Sequence, residues 1–181
     1  MHLAAYDAAD AVDQAALVHA SYSAEYPTAP PFAEWRDGLW SRHRRRPGFD
    51  LIVARSGDRI AGIAWAYVGD RGQYWSDAVA ASLPGDIADT WIGGHLEVVE
   101  LIVAPAFRRQ GVGTRLLATL LERSSVDRAL LSVRDSAVPA RSLYRSLGWH
   151  ELGRLGQDMT IMGRRIRKAD APVPTPGGSN E

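Results

Sequence analysis

Two spacings of apolar residues divide this 181-residue chain into helices and strands. Apolar positions three and four apart predict a helix at residues 10–20, with Asp7 or Asp10 as its cap, and another at residues 32–43. Alternating or continuous apolar runs predict four strands, at residues 50–55, 60–68, 95–103 and 129–134. A tight turn joins the first two strands, which therefore predict a β-hairpin.

The second half of the chain alternates strand and helix. Helices are predicted at residues 113–123 and 138–147. Gly148 is placed to end the second of them, because glycine readily adopts the left-handed conformation that closes a helix. Residues 151–154 and 159–162 predict a closing hairpin.

This order of elements predicts a single α/β domain, with a mixed central sheet flanked by helices. Residues 69–94 interrupt the order as an irregular insertion that contains a short helix near residues 77–83. We expect the domain to occupy residues 1–167. Prolines and glycines are concentrated in residues 168–181, which we expect to form a disordered tail.

The amino-acid composition excludes several classes of partner and of chemistry. Lys plus Arg and Asp plus Glu each number 21, so no net charge favours nucleic acid or an anionic membrane as a partner. The absence of cysteine excludes disulfides, thiolate metal sites and a cysteine nucleophile. The five histidines are scattered, so we expect no metal. No segment is typical of a signal peptide or a membrane span, and we expect a cytoplasmic protein.

Residues 108–113 carry the most informative chemistry. They follow a buried strand and open a helix, whose first backbone N–H groups and dipole form an anion site. Gly111 and Gly113 let a phosphate approach the backbone, and Arg108 and Arg109 add positive charge. The third glycine of a dinucleotide fingerprint is replaced by Leu116, and the P-loop lysine is missing. A plain turn with basic surface residues remains an alternative interpretation.

Two motifs together give a more specific indication. Arg108-x-x-Gly111-x-Gly113 follows Leu101-x-Val103-x-Pro105, and the strand at residues 131–133 precedes Ala140-x-x-Leu143-Tyr144-x-x-x-Gly148-Trp149. Over residues 95–153 this arrangement resembles the GCN5-related N-acetyltransferases (GNAT). The resemblance implies a GNAT-like domain in which the central strands splay apart in a V, with a bulge near residues 101 and 102.

The resemblance also implies an acetyl-CoA site. The residues implied to bind this co-substrate are Leu101, Ile102, Val103, Arg108, Arg109, Gln110, Gly111, Val112, Gly113, Thr114, Ser136 and Ser142. The sequence departs from the family at Ala137, where an asparagine is common, so that Asp135 or Ser136 has to substitute for it.

Acetyl transfer to an amine requires a base for the amine and an acid for the leaving thiolate. Glu97 and Glu100 are candidate bases because each is a carboxylate in an otherwise apolar strand, and His95 is a third candidate. The resemblance implies that Glu97 is favoured. A regular strand would direct the two glutamates to opposite faces. By resemblance, Tyr144 is the acid. Each of these residues could instead serve only packing or hydrogen bonding.

The acceptor site is implied to involve the first two helices and the hairpin. Candidate acceptor contacts there are Tyr22, Tyr26, Trp35 and Trp65, although each could instead belong to the core. The predicted function is acetylation of a primary amine of a small molecule or a protein. A CoA-binding regulatory module without turnover and a nucleotide-binding protein are the alternatives, and the sequence leaves a homodimer open.

Overall fold

The computed structural model describes residues 1–166, and the tail predicted from residue 168 lies outside them. The strands are β1 (His2–Tyr6), β2 (Asp50–Ser56), β3 (Arg59–Gly69), β4 (His95–Val103), β5 (Arg128–Arg134), β6 (His150–Leu155) and β7 (Met159–Arg165). They form one mixed sheet in the order β1-β2-β3-β4-β5-β7-β6. The helices are α1 (Ala15–Glu25), α2 (Phe32–Trp35), α3 (Ser41–Arg44), α4 (Tyr74–Ser82), α5 (Gly85–Trp91), α6 (Val112–Arg123) and α7 (Val138–Ser146). The predicted α/β class with a mixed sheet is confirmed.

The first strand is not predicted by the sequence. β1 is a short edge strand that pairs antiparallel with β2, so that Leu3 lies opposite Ala54. Two of its five residues are alanines, which have low strand propensity, and its burial does not alternate regularly. Its pairing with β2, rather than a local pattern, therefore stabilises it.

The first predicted helix begins later than expected. Residues Asp10–Val12 form a 3-10 turn, and α1 starts at Ala15 and runs beyond the predicted end. The predicted capping of this helix by Asp7 or Asp10 is wrong, because the Asp7 carboxylate accepts the N–H groups of Ala9 at 2.8 Å and Asp10 at 3.0 Å at the 3-10 turn, and among the described residues no side chain caps α1. The second predicted helix is present as α2 and α3 joined by a π-helical segment, Arg36–Trp40.

The insertion after β3 is more regular than the sequence predicts. It contains two helices, α4 and α5, rather than one short helix in an irregular segment. Val79, Leu83 and Trp91 bury their side chains against Leu130 and Ile161 of the sheet. The packing of two short amphipathic segments on the sheet outweighs their weak local helix signals.

The sheet buries both faces. On one face α6 packs through Leu116, Leu117 and Leu120, which are almost completely buried. The other face is covered by α1 to α3, and the core there is centred on Trp40 and Trp65. These two cores fix β4, the central strand, from both sides.

The central strands separate, as the resemblance implied. β4 and β5 pair in parallel only at Leu96 with Ala129 and at Glu97 with Leu130. Beyond these two pairs, the side of β4 that faces β5 is free of strand pairing within the described residues. The divergence opens a groove between the end of β4 and helix α7.

The bulge in β4 lies earlier than the resemblance implied. Trp65 of β3 pairs with Glu100, and the next residue, Ala66, pairs with Val98. Val99 is therefore the extra residue, and the expected position at residues 101 and 102 is wrong. One additional residue changes the side-chain alternation, so that the odd spacing of Glu97 and Glu100 no longer separates them.

Candidate active site

The groove beside β4 has a volume of about 630 Å³. Its walls are residues 101–103 of β4, the start of α6 and the inward side of α7. The lining residues are Glu25, Leu101, Ile102, Val103, Phe107, Arg108, Arg109, Gly111, Val112, Gly113, Thr114, Ala137, Pro139, Ala140, Leu143 and Tyr144. Nine of the twelve residues implied to bind the co-substrate are thus brought together.

The start of α6 is shaped as the sequence predicts. Gly111 precedes the helix in the left-handed conformation, with φ +76°, and a Cβ placed on it would meet nothing within 4 Å. Arg109 also has a positive φ, of 63°. Among residues 1–166, no side chain caps this helix, so its first N–H groups face the groove together with the positive end of the dipole. The arrangement is suited to bind phosphate oxygens.

Three of the predicted co-substrate residues lie outside this lining. The side chain of Gln110 donates to the carbonyl oxygen of Ala106 at 2.9 Å. Ser136 and Ser142 are not among the groove residues, whereas Ala137 and Ala140 are. The place where the family commonly has an asparagine is therefore an apolar part of the wall.

Arg108 connects the groove to helix α1. Its guanidinium forms an ion pair with Glu25 at 2.9 Å, and its Nε donates to the carbonyl oxygen of Val103 at 3.1 Å. Glu25 was not singled out by the sequence, because only the fold brings the end of α1 to the groove. An extended ligand that pairs with the Val103 carbonyl would have to displace this contact.

Tyr144 lines the groove, and Glu100 immediately precedes the groove residues of β4. The Tyr26 hydroxyl donates to Oε2 of Glu100 at 2.9 Å. Burial raises the pKa of Glu100 to about 7, and the Tyr26 hydrogen bond opposes that rise. Burial, and then the charge of Glu100, raise the pKa of Tyr144, which therefore keeps its proton at neutral pH.

Glu97 also accepts a hydrogen bond from a tyrosine. The Tyr67 hydroxyl donates to its Oε1 at 2.6 Å, and the Glu97 side chain is buried. Burial raises the pKa of Glu97 to about 7, while the Tyr67 hydrogen bond and the charge of Arg46 lower it. Sequence reasoning missed Tyr67, since its place opposite Glu97 depends on the register of β3 against the bulged strand.

The four aromatic candidates for the acceptor site divide into two pairs. Trp35 and Trp65 are 1% and 0% exposed and pack in the core under α1 to α3. A buried ring offers no surface to an acceptor, so this packing does not support the prediction for these two residues. Tyr22 and Tyr26 are partly exposed, and their rings lie 4.7 Å apart.

The family of the chain follows from a comparison with known proteins. The model of the acetyltransferase (GNAT) family matches residues 14–149, and the chain belongs to this family. Its members use acetyl-CoA as co-substrate. An uncharacterized protein of Mycobacterium leprae (strain TN) is 38% identical over an alignment of 78 residues, and the match covers 36% of this chain and 22% of that relative.

Solved structures share the fold at low identity. An acetyltransferase of Thermus thermophilus is 14% identical with a TM-score of 0.66, covering 91% of this chain and 96% of its own. The ribosomal-protein-S18-alanine N-acetyltransferase of Escherichia coli is 19% identical with a TM-score of 0.58, covering 96% and 99%. The Salmonella typhimurium protein yncA, solved with its cofactor acetyl-CoA, is 18% identical with a TM-score of 0.59, covering 97% and 99%.

Residues 1–166 contain neither a metal-ligand cluster nor a membrane-spanning helix. In this part of the chain, no three His, Cys, Asp or Glu side chains lie together as a metal site would require. None of its helices is both long and apolar enough to cross a membrane.

Proposed function

We propose that this acetyltransferase transfers the acetyl group of acetyl-CoA directly to a primary amine of a small molecule or a protein. The observation that carries the proposal is a single groove that runs from the uncapped N-terminus of α6 to the side chain of Tyr144. An anion site and the proposed acid thus belong to one groove, and the two candidate bases lie on the strand that forms its wall.

The co-substrate fits the groove by its chemistry. The pyrophosphate binds the first N–H groups of α6, next to Arg108 and Arg109. The pantetheine arm lies along residues 101–103, where β4 has no partner strand on the groove side within the described part of the chain. Gln110, Ser136 and Ser142 contribute at most to the outer part of the site, since they do not line the groove.

The reaction proceeds by direct attack. The base removes a proton from the ammonium group, and the neutral nitrogen attacks the thioester carbonyl carbon. The carbon–nitrogen bond forms, the tetrahedral intermediate collapses, and the carbon–sulfur bond breaks. The nitrogen loses its second proton to water as the intermediate collapses, Tyr144 donates its proton to the departing thiolate and regains one from water, and the amide and CoA are the products.

Glu97 is the favoured base and Glu100 is the alternative. Both have a pKa of about 7, which is close to the optimum for proton transfer at neutral pH. Among residues 1–166, no group donates a hydrogen bond to Oε2 of Glu97, so this oxygen can accept a proton, relayed through water from the acceptor. Tyr26 and Tyr22 form the acceptor side of the site.

The proposal is tested by measuring CoA release with a panel of primary amines and peptides. Amine-dependent release supports it. Binding of acetyl-CoA without turnover on any amine would favour a regulatory module instead. Thermal stabilisation by ATP, and none by acetyl-CoA, would favour a nucleotide-binding protein. The cytoplasmic location and a homodimer stay predictions.

A further inference from the structure

Two buried polar atoms without a protein partner lie near each other beside β4. Within residues 1–166, Nε2 of His95 and Oε2 of Glu97 are both buried and make no hydrogen bond. The two residues are two positions apart on β4, before the bulge, so their side chains share a face of the sheet. Buried polar atoms are normally hydrogen-bonded, so this pair needs an explanation.

Gly69 lets the two side chains approach each other. It pairs with His95 across the β3–β4 ladder. A Cβ placed on Gly69 would lie 2.5 Å from Nε2 of His95 and 3.1 Å from Oε2 of Glu97. The two atoms therefore both lie close to the Cα of Gly69, and a side chain at position 69 would clash with them.

The tautomer of His95 makes the two atoms complementary. The backbone N–H of Gly93 donates to Nδ1 of His95 at 3.3 Å, so Nδ1 is the acceptor and Nε2 carries the proton. Burial lowers the pKa of His95 to about 4, and the ring is neutral at physiological pH. A donor and an acceptor thus both lie against Gly69.

We propose that His95 is a positioning residue for the base: its Nε2–H donates through one enclosed water molecule to Oε2 of Glu97 and stabilises the ionised carboxylate. The inference rests on the proposed role of Glu97 in acetyl transfer. A water between a buried donor and a buried carboxylate satisfies both groups. Together with Tyr67, it gives each carboxylate oxygen a hydrogen bond.

Other charged and titratable groups also act on this pair. Tyr67 on β3 and Arg46 after α3 favour the ionised form of Glu97. Asp70 after β3 and Arg128 on β5 act on His95 in opposite directions. None of these groups bridges the two unpartnered atoms, so the substitution of His95 isolates the contribution of the relay.

The test compares three variants in the pH dependence of kcat/KM. His95→Leu removes the donor, and we expect the acidic inflection to move up by about one pKa unit. Activity would then fall about tenfold near pH 6.5 and recover near pH 9. His95→Gln keeps a donor at the Nε2 position, and the inflection should stay near that of the wild type. His2→Leu is the matched control on the exposed edge strand and should change nothing.

A loss of activity that is equal at every pH, or an unchanged inflection in His95→Leu, would overturn the inference.

If His95→Leu does not fold, nitrogen NMR of the wild-type protein decides. We expect the His95 Nε2–H signal to persist near neutral pH and to shift with an inflection near pH 7 that Glu97→Gln abolishes. A proton on Nδ1, or no inflection, contradicts the relay. Two results together would separate the two proposals. If Glu97→Gln keeps full activity while the wild type shows the NMR inflection, Glu97 is not the base, but the hydrogen bond from His95 through water to Glu97 is supported.

Discussion

Glu97 and Glu100 project from the same face of β4, because the bulge at Val99 adds one residue between them. Each accepts a hydrogen bond from a tyrosine of another element, Tyr67 for Glu97 and Tyr26 for Glu100. Two carboxylates with similar pKa values, one buried and one partly buried, therefore lie along one side of the strand that forms the groove wall.

The two tyrosines allow the base to be identified. Replacing a tyrosine by phenylalanine removes a hydrogen bond that stabilises the ionised carboxylate, so the pKa of its partner rises. We expect Tyr67→Phe to shift the acidic inflection of kcat/KM upward by about one pKa unit. Tyr26→Phe should leave the inflection in place. The reverse result would transfer the role of base to Glu100.

Tyr144→Phe tests the proposed acid. Loss of the proton donor should lower kcat by about 100-fold, in the range that general acids contribute. Calorimetric binding of acetyl-CoA should change little, because the ring still lines the groove. Tyr74→Phe is the matched control, since Tyr74 is 92% exposed. A Tyr144→Phe enzyme with wild-type kcat would show that the leaving thiolate needs no acid from this residue.

Gly111→Ala tests the anion site, and Gly57→Ala is its control. Both glycines have a positive φ, and a Cβ on either would meet nothing within 4 Å. The left-handed conformation should cost each variant about 1 kcal/mol of unfolding free energy in denaturant titrations. We expect the affinity for acetyl-CoA to fall about tenfold in Gly111→Ala only. Equal affinities in the two variants would place the phosphates elsewhere.

The buried carboxylate of Glu97 should make stability depend on pH. Its pKa is about 7 in the folded protein, above the ordinary value of a glutamate. A raised pKa means that the folded state holds the proton more tightly, so this contribution to stability is lost as pH rises from about 4.5 to about 7. Glu97→Gln removes that loss.

The measurement is urea denaturation of both proteins from about pH 4 to about pH 8. Relative to the wild type, Glu97→Gln should gain unfolding free energy with rising pH, by about 3 kcal/mol at most. A difference that is constant over this range would mean that the pKa of Glu97 is the same in the folded and unfolded states.

Much of the proposed acetyl-CoA site could be predicted from the sequence, because it depends on the local pattern of residues. The positions of Arg108, Gly111 and Gly113 define a helix start that is visible in the chain itself. The strand before it, at residues 95–103, has the predicted bounds. Gly148 ends α7 with φ +80°, as its position indicates.

The surroundings of the candidate bases and of the acceptor residues depend on contacts between segments that are distant in the sequence. The bulge at Val99 follows from the register of β3 against β4, and the pairing of Tyr67 with Glu97 depends on that register. The Glu25–Arg108 ion pair joins residues 83 positions apart. From the sequence, Trp35 and Trp65 are candidates for a binding pocket. Only the packing of α1 to α3 shows that both belong to the core. The pattern of residues within a single segment does not reveal these contacts.

The most direct test of acetyl transfer follows the acetyl group itself. The protein is incubated with acetyl-CoA labelled with ¹³C in the acetyl group and with each amine of the panel, and the products are examined by mass spectrometry. We expect label on the amine nitrogen in an amount equal to the CoA released, with little of either in Tyr144→Phe. Release of CoA without labelled amine, or bound acetyl-CoA that reacts with no amine, would contradict the proposed acetyltransferase.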